Sequence, residues 1–230
     1  HFHEYVSQSE KIKASLYFKF LLYIESKILK KVRWVSHTNI ERLNMFHNDY
    51  NFLEYKLLNI YPNFPPANWK TLKNIKLYNK QTISFVYVGS LSFETMYLKE
   101  FISWISLNPK TYNFDIYTSS NIKQELNNIL QFNNITNVKI YDEVNYFDLP
   151  KFLINYDYGV VLYKGHIPNY VYNVPNKVFE YLSCGLNVLY SNKLLSINNF
   201  KKIKNINNII DFDFENPLFI ATTNINCKKF

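Results

Sequence analysis

Lys177 and Glu180 are the residues whose types and spacing best fit a piece of chemistry. They stand in Pro175-Asn176-Lys177-Val178-Phe179-Glu180-Tyr181-Leu182-Ser183-Cys184-Gly185. Pro175 suits the first turn of a helix, where its missing N–H is no loss. Gly185 sits where a helix end wants a residue tolerant of positive φ. Leu186 to Tyr190 is short and apolar and reads as a buried strand, as does Tyr158 to Tyr163 upstream. Such a strand–loop–short helix–strand unit is half of a parallel α/β sheet. Lys177 falls in the first turn, where a cation opposes the helix dipole but is well placed if an anion docks there. Glu180 is three residues on, on the same face and about 4.5 Å along the axis. That is the step from a phosphate to a ribose hydroxyl, so one helix terminus can hold a nucleoside diphosphate and its sugar ring. The same spacing also describes an ordinary solvated Lys–Glu pair worth tenths of a kcal/mol, and spacing alone leaves both open.

The elements that must position this helix follow from periodicity. From Thr82 the chain alternates strand and helix: strands at Thr82–Val88, Asn113–Thr118, Asn137–Tyr141, Tyr158–Tyr163, Leu186–Ser191 and Asn207–Phe212. Between them run helices at Glu94–Leu107, Asn121–Phe132, Tyr146–Asn155, Pro175–Cys184 and Leu195–Ile203. This pattern predicts a doubly wound parallel sheet over residues 82–212. Ahead of it come a long helix at Glu10–Lys31, a strand at Val32–Ser36, a helix at Asn39–His47 and a strand at Lys56–Tyr61. Pro62-Asn63-Phe64-Pro65-Pro66 then stops regular structure. Residues 1–61 are thus a first domain, 62–81 a linker and 213–230 a tail.

Composition narrows the partners. Net charge is +8, from 26 Lys and Arg against 18 Asp and Glu, which suits an acidic partner. The charge is scattered and carries no aromatic-plus-basic recognition motif, so nucleic acid is not expected. Two cysteines, Cys184 and Cys227, and no metal-spaced Cys/His set argue against a disulfide framework or zinc site. Cys184 is expected to be buried and free. No signal peptide or uninterrupted apolar run of spanning length is found, so a cytoplasmic protein is expected. The Glu10–Lys31 helix pairs lysines with Leu16, Phe20, Tyr23, Ile24 and Ile28 on one side. It can lie on an anionic bilayer at the inner face of a membrane, or pack that stripe on the sheet with its lysines in solvent; the second is expected.

Pro-Asn-Lys-x-Phe-Glu-Tyr-x-x-x-Gly at 175–185, followed by an apolar strand and preceded by Asp157-Tyr-Gly-Val-Val-Leu-Tyr163, resembles the donor-binding helix of GT-B nucleotide-sugar glycosyltransferases of the broad family 4-like group. The resemblance implies a Rossmann-like donor domain at 82–212 and a partial N-terminal Rossmann-like domain at 1–61, with roughly the first third of a complete enzyme outside this chain. It implies that Glu180 holds the donor ribose and that Asn176 and Lys177 lie at the pyrophosphate. Gly89 and Ser90 would form a donor-facing loop, though a tight turn with Ser92 as helix N-cap fits that stretch equally. The turn at Glu143-Val144 would offer backbone groups to the nucleobase, and His3 would face the reacting sugar as a catalytic residue. The loop Gly165–Asn173 would lie over the transferred sugar. Three positions depart from the family pattern: Ser90 and Thr95 stand where many members carry Arg and Lys, and Asn173 where many carry Glu.

The function implied is transfer of a hexosyl group from a UDP- or GDP-sugar to a glycan or lipid-linked acceptor in capsule, O-antigen or exopolysaccharide synthesis. It would be retaining and metal-independent, with no cofactor besides the donor. The alternative is a non-catalytic nucleotide- or partner-binding fragment of a degenerate enzyme. A half-built first sheet would expose a strand edge, so self-association there is also an expectation. An epimerase on a similar architecture fits the 175–185 helix less well.

Overall fold

The computed structural model describes residues 1–2, 4–6, 8–72, 82–204 and 207–215. His3, Cys227, residues 73–81 of the linker and 216–230 of the tail lie outside the described residues. In chain order the elements are α1 (Gln8–Lys13), α2 (Leu16–Leu29), β1 (Val35–His37), α3 (Ile40–Asp49), β2 (Leu58–Ile60), β3 (Ile83–Val88), α4 (Leu98–Ser106), β4 (Tyr112–Tyr117) and α5 (Lys123–Phe132). They continue with β5 (Val138–Tyr141), α6 (Leu149–Leu153), β6 (Tyr158–Val161), α7 (Pro168–Val171), α8 (Asn176–Ser183), β7 (Asn187–Ser191), α9 (Leu195–Lys204) and β8 (Ile209–Phe212). The chain divides into two units: 1–63 with Gly165–Val174 and Leu194–Phe200, and Phe64–Lys164 with Pro175–Lys193 and the residues from Lys201 on. Two short pieces of the 82–212 range therefore group with the N-terminal residues.

The second unit holds a parallel sheet in the order β5-β4-β3-β6-β7-β8, the Rossmann-like, doubly wound arrangement. Its core is aromatic: Phe85, Phe101, Trp104, Phe114, Phe212 and Phe214 are all buried and meet ring to ring. Helix ends follow local chemistry. Gly185 (φ +78) donates to the Leu182 carbonyl and Leu186 to that of Tyr181, the paired bonds that close a helix on a left-handed residue. Asn134 (φ +52) does the same after α5, with Ile135 donating to Leu130.

Several elements differ from the sequence expectation, each for a local reason. The Glu10–Lys31 helix is two helices, because Ser15 turns its side chain onto the Phe18 N–H (3.3 Å) and caps α2. The expected linker is not bare: Ala67–Leu72 forms a 3-10 helix, with Trp69 buried and its ring tilted against that of Tyr146 at 5.0 Å. Apolar burial there outweighs the preceding prolines. The Lys56–Tyr61 strand shrinks to β2 behind a 3-10 turn at Tyr55–Leu57, and Val32–Ser36 to β1. Pro175 is not in α8 but immediately before it, extended at ψ 147.

In the first unit β1 and β2 pair in parallel and Phe2 bridges to His37. His37 is fully buried between the rings of Phe2 (5.3 Å) and Phe46 (4.8 Å). Neither ring nitrogen has a partner among the described residues. Burial, with the Arg42 charge, lowers its pKa to about 4. The unfolded chain, near 6.5, then binds the proton more tightly than the folded one. Stability is therefore full above pH 6.5 and falls by up to about 3 kcal/mol as pH drops toward 4. Urea titrations across that window are expected to show the fall in the parent and a flatter profile in His37→Leu.

Candidate functional site

In the sheet order the chain runs outward one way from β3 and the other way from β6. The crevice at the carboxyl ends of those two neighbours is the switch point where such sheets bind ligands. Gly89 ends β3 there, and Tyr163 and Lys164 follow β6.

Lys177 reaches Gly89. A Cβ at residue 89 would lie 2.9 Å from the Lys177 Nζ and 3.1 Å from its Cε, and Gly89 has φ +127. Only glycine gives both that conformation and that space. The Gly89 N–H donates to the Tyr117 carbonyl (2.9 Å), so the residue contributes room for the ammonium rather than a phosphate donor. Beneath the ammonium, 5.3 Å away, lies the Tyr87 ring. The Tyr87 hydroxyl donates to the carbonyl of Ser90 (2.7 Å), itself an exposed residue. Among the described residues Lys177 has no hydrogen-bond or ion-pair partner. Asn176, beside it, is exposed, and α8 starts with no side-chain cap on its first N–H groups. A half-buried cation and an uncapped helix N-terminus thus coincide beside Gly89.

Glu180, on the same helix, is buried, and its carboxylate makes no hydrogen bond to a described residue. Burial raises its pKa, opposed by the Lys177 charge. Its charge in turn raises the Tyr146 phenol, after burial does. The Glu180 charge is therefore felt in the segment after β5, where Val144 sits half-buried in the Asp142–Asn145 connection. A group with a raised folded pKa holds its proton better when folded, so stability falls as pH rises from the unfolded value of 4.5 through the folded pKa. Glu180→Gln is expected to melt at the same or a higher temperature than the parent at neutral pH, with the difference gone below pH 4.5, while losing nucleotide affinity. Scanning calorimetry and titration calorimetry on one preparation check both halves.

The remaining candidates fall elsewhere. Ser92 accepts from the Thr95 N–H (3.2 Å), but it caps a turn, and the helix expected from Glu94 begins at Leu98. The intervening backbone is committed to the segment that follows β6: Lys164 N–H donates to the Thr95 carbonyl, Tyr97 N–H donates to the Leu162 carbonyl, and Met96 bridges Tyr163. Gly165–Asn173 groups with the first unit, tied there by Asn169, which accepts from Arg42 Nη2 (2.6 Å) and the Tyr5 N–H (3.2 Å). Cys184 is buried and free, its thiol pushed up to about 11 by burial. Among the described residues no group of three His, Cys, Asp or Glu could hold a metal ion. A groove of about 480 Å³ between α4 and α5 lies beside Thr136 and Asn137, at the amino ends of the strands, and lacks any paired titratable groups.

Sequence reasoning missed the tyrosines. Tyr181 is fully buried, crosses β6 at Gly159, and accepts the Val88 N–H on its hydroxyl (3.2 Å). Tyr87 hydrogen-bonds to Tyr163, and burial holds its phenol far above the usual range, hence neutral. The available signal was Gly159, since a glycine inside a strand marks a close approach.

No family model matches the chain, and no curated protein is similar to it in sequence. Solved structures are similar in fold. OtsA in its apo form has a TM-score of 0.61 at 12% identity, over 91% of this chain and 55% of its own. WaaG, a glycosyltransferase involved in lipopolysaccharide biosynthesis, gives 0.54 at 14% identity, over 74% and 47%. The shared fold is that of GT-B glycosyltransferases. WaaB, a lipopolysaccharide outer core galactosyltransferase, gives 0.50 at 13% identity, over 70% and 43%. The chain spans about half the length of these proteins. No described helix is long and apolar enough to cross a membrane.

Proposed function

We propose that the chain is the donor-binding part of a glycosyltransferase that takes a hexosyl group from a UDP- or GDP-sugar. The observation that carries this reading is the Lys177 ammonium lying in the space left by Gly89, at the sheet's switch point and beside an uncapped helix N-terminus. The acceptor oxygen bonds to the anomeric carbon as the bond from that carbon to the phosphate oxygen breaks. The electron pair leaves with the diphosphate, and the acceptor proton goes with it or to a base. Lys177 and the N–H groups of Asn176 and Lys177 stabilise the charge that develops on the leaving group. Glu180 accepts hydrogen bonds from the ribose hydroxyls, and backbone near Val144 contacts the base. The reading carries with it a retaining, metal-independent transfer, His3 at the reacting sugar, and a glycan or lipid-linked acceptor of a bacterial surface polysaccharide at the cytoplasmic face of a membrane. Titration calorimetry with UDP and GDP tests the site, and product formation from a panel of nucleotide sugars tests the reaction.

A second reading, nucleotide binding without turnover, draws on Ser90 and Thr95. Neither supplies the cation found at these places in many relatives, and Lys164 and Lys99 near that loop are engaged with Phe93. Binding of UDP or GDP with no product from any donor would favour it.

A further inference from the structure

We infer that Arg42 and Asn39 are positioning residues for α8: they pin the segment that leads into it and so fix where its first turn presents Asn176 and Lys177. The chain leaves the second unit after Lys164, groups with the first over Gly165–Val174, and rejoins the second at Pro175. Within that segment α7 carries Asn169, and Tyr172 ends it. Arg42 Nη2 donates to the Asn169 carbonyl (2.8 Å) and to its Oδ1 (2.6 Å), which also accepts from the Tyr5 N–H (3.2 Å). Asn39 Nδ2 donates to the Tyr172 carbonyl (2.9 Å), while its Oδ1 caps α3 by accepting from the Arg42 N–H (2.9 Å). Two side chains from the start of α3, one turn apart, thus hold two residues one turn apart on the segment.

The pin is built for direction rather than for burial energy. Arg42, Asn169 and Asn39 are exposed by only 2%, 8% and 9%, so water has little access to these bonds. Apolar side chains of the same shape would hold the segment about as firmly. A guanidinium nitrogen shared between a carbonyl and an amide oxygen instead admits one register. Only Asn173, Val174 and Pro175 separate Tyr172 from α8. The Pro175 ring fixes its own φ (−61) and restricts Val174, which is buried. A connection this short and stiff passes the position of Tyr172 on to α8. Tyr181 anchors the middle of that helix across Gly159, but the first turn has no side-chain cap, and the incoming chain sets its direction. The inference rests on the reading of Lys177 as a ligand for the diphosphate, and adds what holds that residue in place.

Titration calorimetry of the whole chain with UDP and GDP tests it through a double-mutant cycle. Arg42→Met removes the guanidinium and leaves an unbranched buried side chain. Asn39→Asp keeps the oxygen that caps α3 and removes the donor to Tyr172, so it serves should Arg42→Met fail to fold. Each is expected to lower affinity roughly tenfold when made in the parent, and by no more than about threefold in the Lys177→Ala background. A role confined to the stability of the first unit gives equal fold-changes in the two backgrounds, or none in either, and both results overturn the inference. A parent that binds and loses affinity with Lys177→Ala, but not with Arg42→Met or Asn39→Asp, overturns this inference alone. A parent that binds neither nucleotide overturns the reading of the site and this inference with it.

Discussion

Lys177→Ala lowers the affinity for UDP and GDP by roughly ten- to a hundredfold, the loss of one charge-assisted hydrogen bond to phosphate worth about 1.5–3 kcal/mol. The expectation follows from where the ammonium lies and from what it lacks. It occupies the space at Gly89 over the Tyr87 ring, half-buried, with no ion-pair or hydrogen-bond partner among the described residues, and meets Glu180 only through its charge. It also sits at the positive end of α8, where a cation without an anion is unfavourable. Removing it should therefore leave the melting temperature unchanged or slightly raised, which separates a binding role from a structural one. Lys177→Arg keeps the charge but brings a planar fork into a space fitted to a compact ammonium, so it restores only part of the affinity. Calorimetry that finds equal affinity in parent and Lys177→Ala would reject the assigned site, whatever the reaction proves to be.

Gly159→Ala should cost at least about 3 kcal/mol of stability, the upper end of what overpacking a core costs. The added methyl would fall 2.1, 2.2 and 2.6 Å from Tyr181 Cδ2, Cγ and Cδ1. Those are ring atoms of a side chain with no exposed surface, and its hydroxyl is fixed by the Val88 N–H. The ring cannot swing aside, so α8 has to lift from β6. Because Lys177 and Glu180 ride on α8, nucleotide affinity is expected to fall along with stability. Adding Tyr181→Leu, which removes the clash and loses the Val88 hydrogen bond, should recover part of the lost stability. Urea denaturation of the three proteins checks this. A single variant within about 0.5 kcal/mol of the parent, the scale of an ordinary surface change, would show that the ring does not lie across residue 159.

Much of the second unit was written locally. The alternation of apolar runs with amphipathic helices from residue 82 set the order of β3 to β8, because period and turn residues act over a few neighbours. Gly185 set the end of α8 for the same reason: the left-handed residue and its two closing bonds span one turn. Lys177 and Glu180 were legible as candidates because a helix maps sequence spacing onto one face. Their setting was not. That Gly89 yields its side-chain volume to Lys177, that Tyr181 covers Gly159, and that Tyr87 lies under Lys177 while bonded to Tyr163 are contacts between segments tens of residues apart.

The first unit shows the converse. Period alone found the stripe of α2 but could not choose which side faces the core, since both sides of that helix are rich in apolar residues: Leu29, off that stripe, is buried, while Leu16, Phe20, Tyr23, Ile24 and Ile28 on it are exposed. The sequence by itself thus determined which stretches become strands and helices, and which helix could meet an anion. Only the tertiary structure decided which faces are covered and which distant side chains share a space. Burial depends on the packed neighbour, and no local pattern names that neighbour.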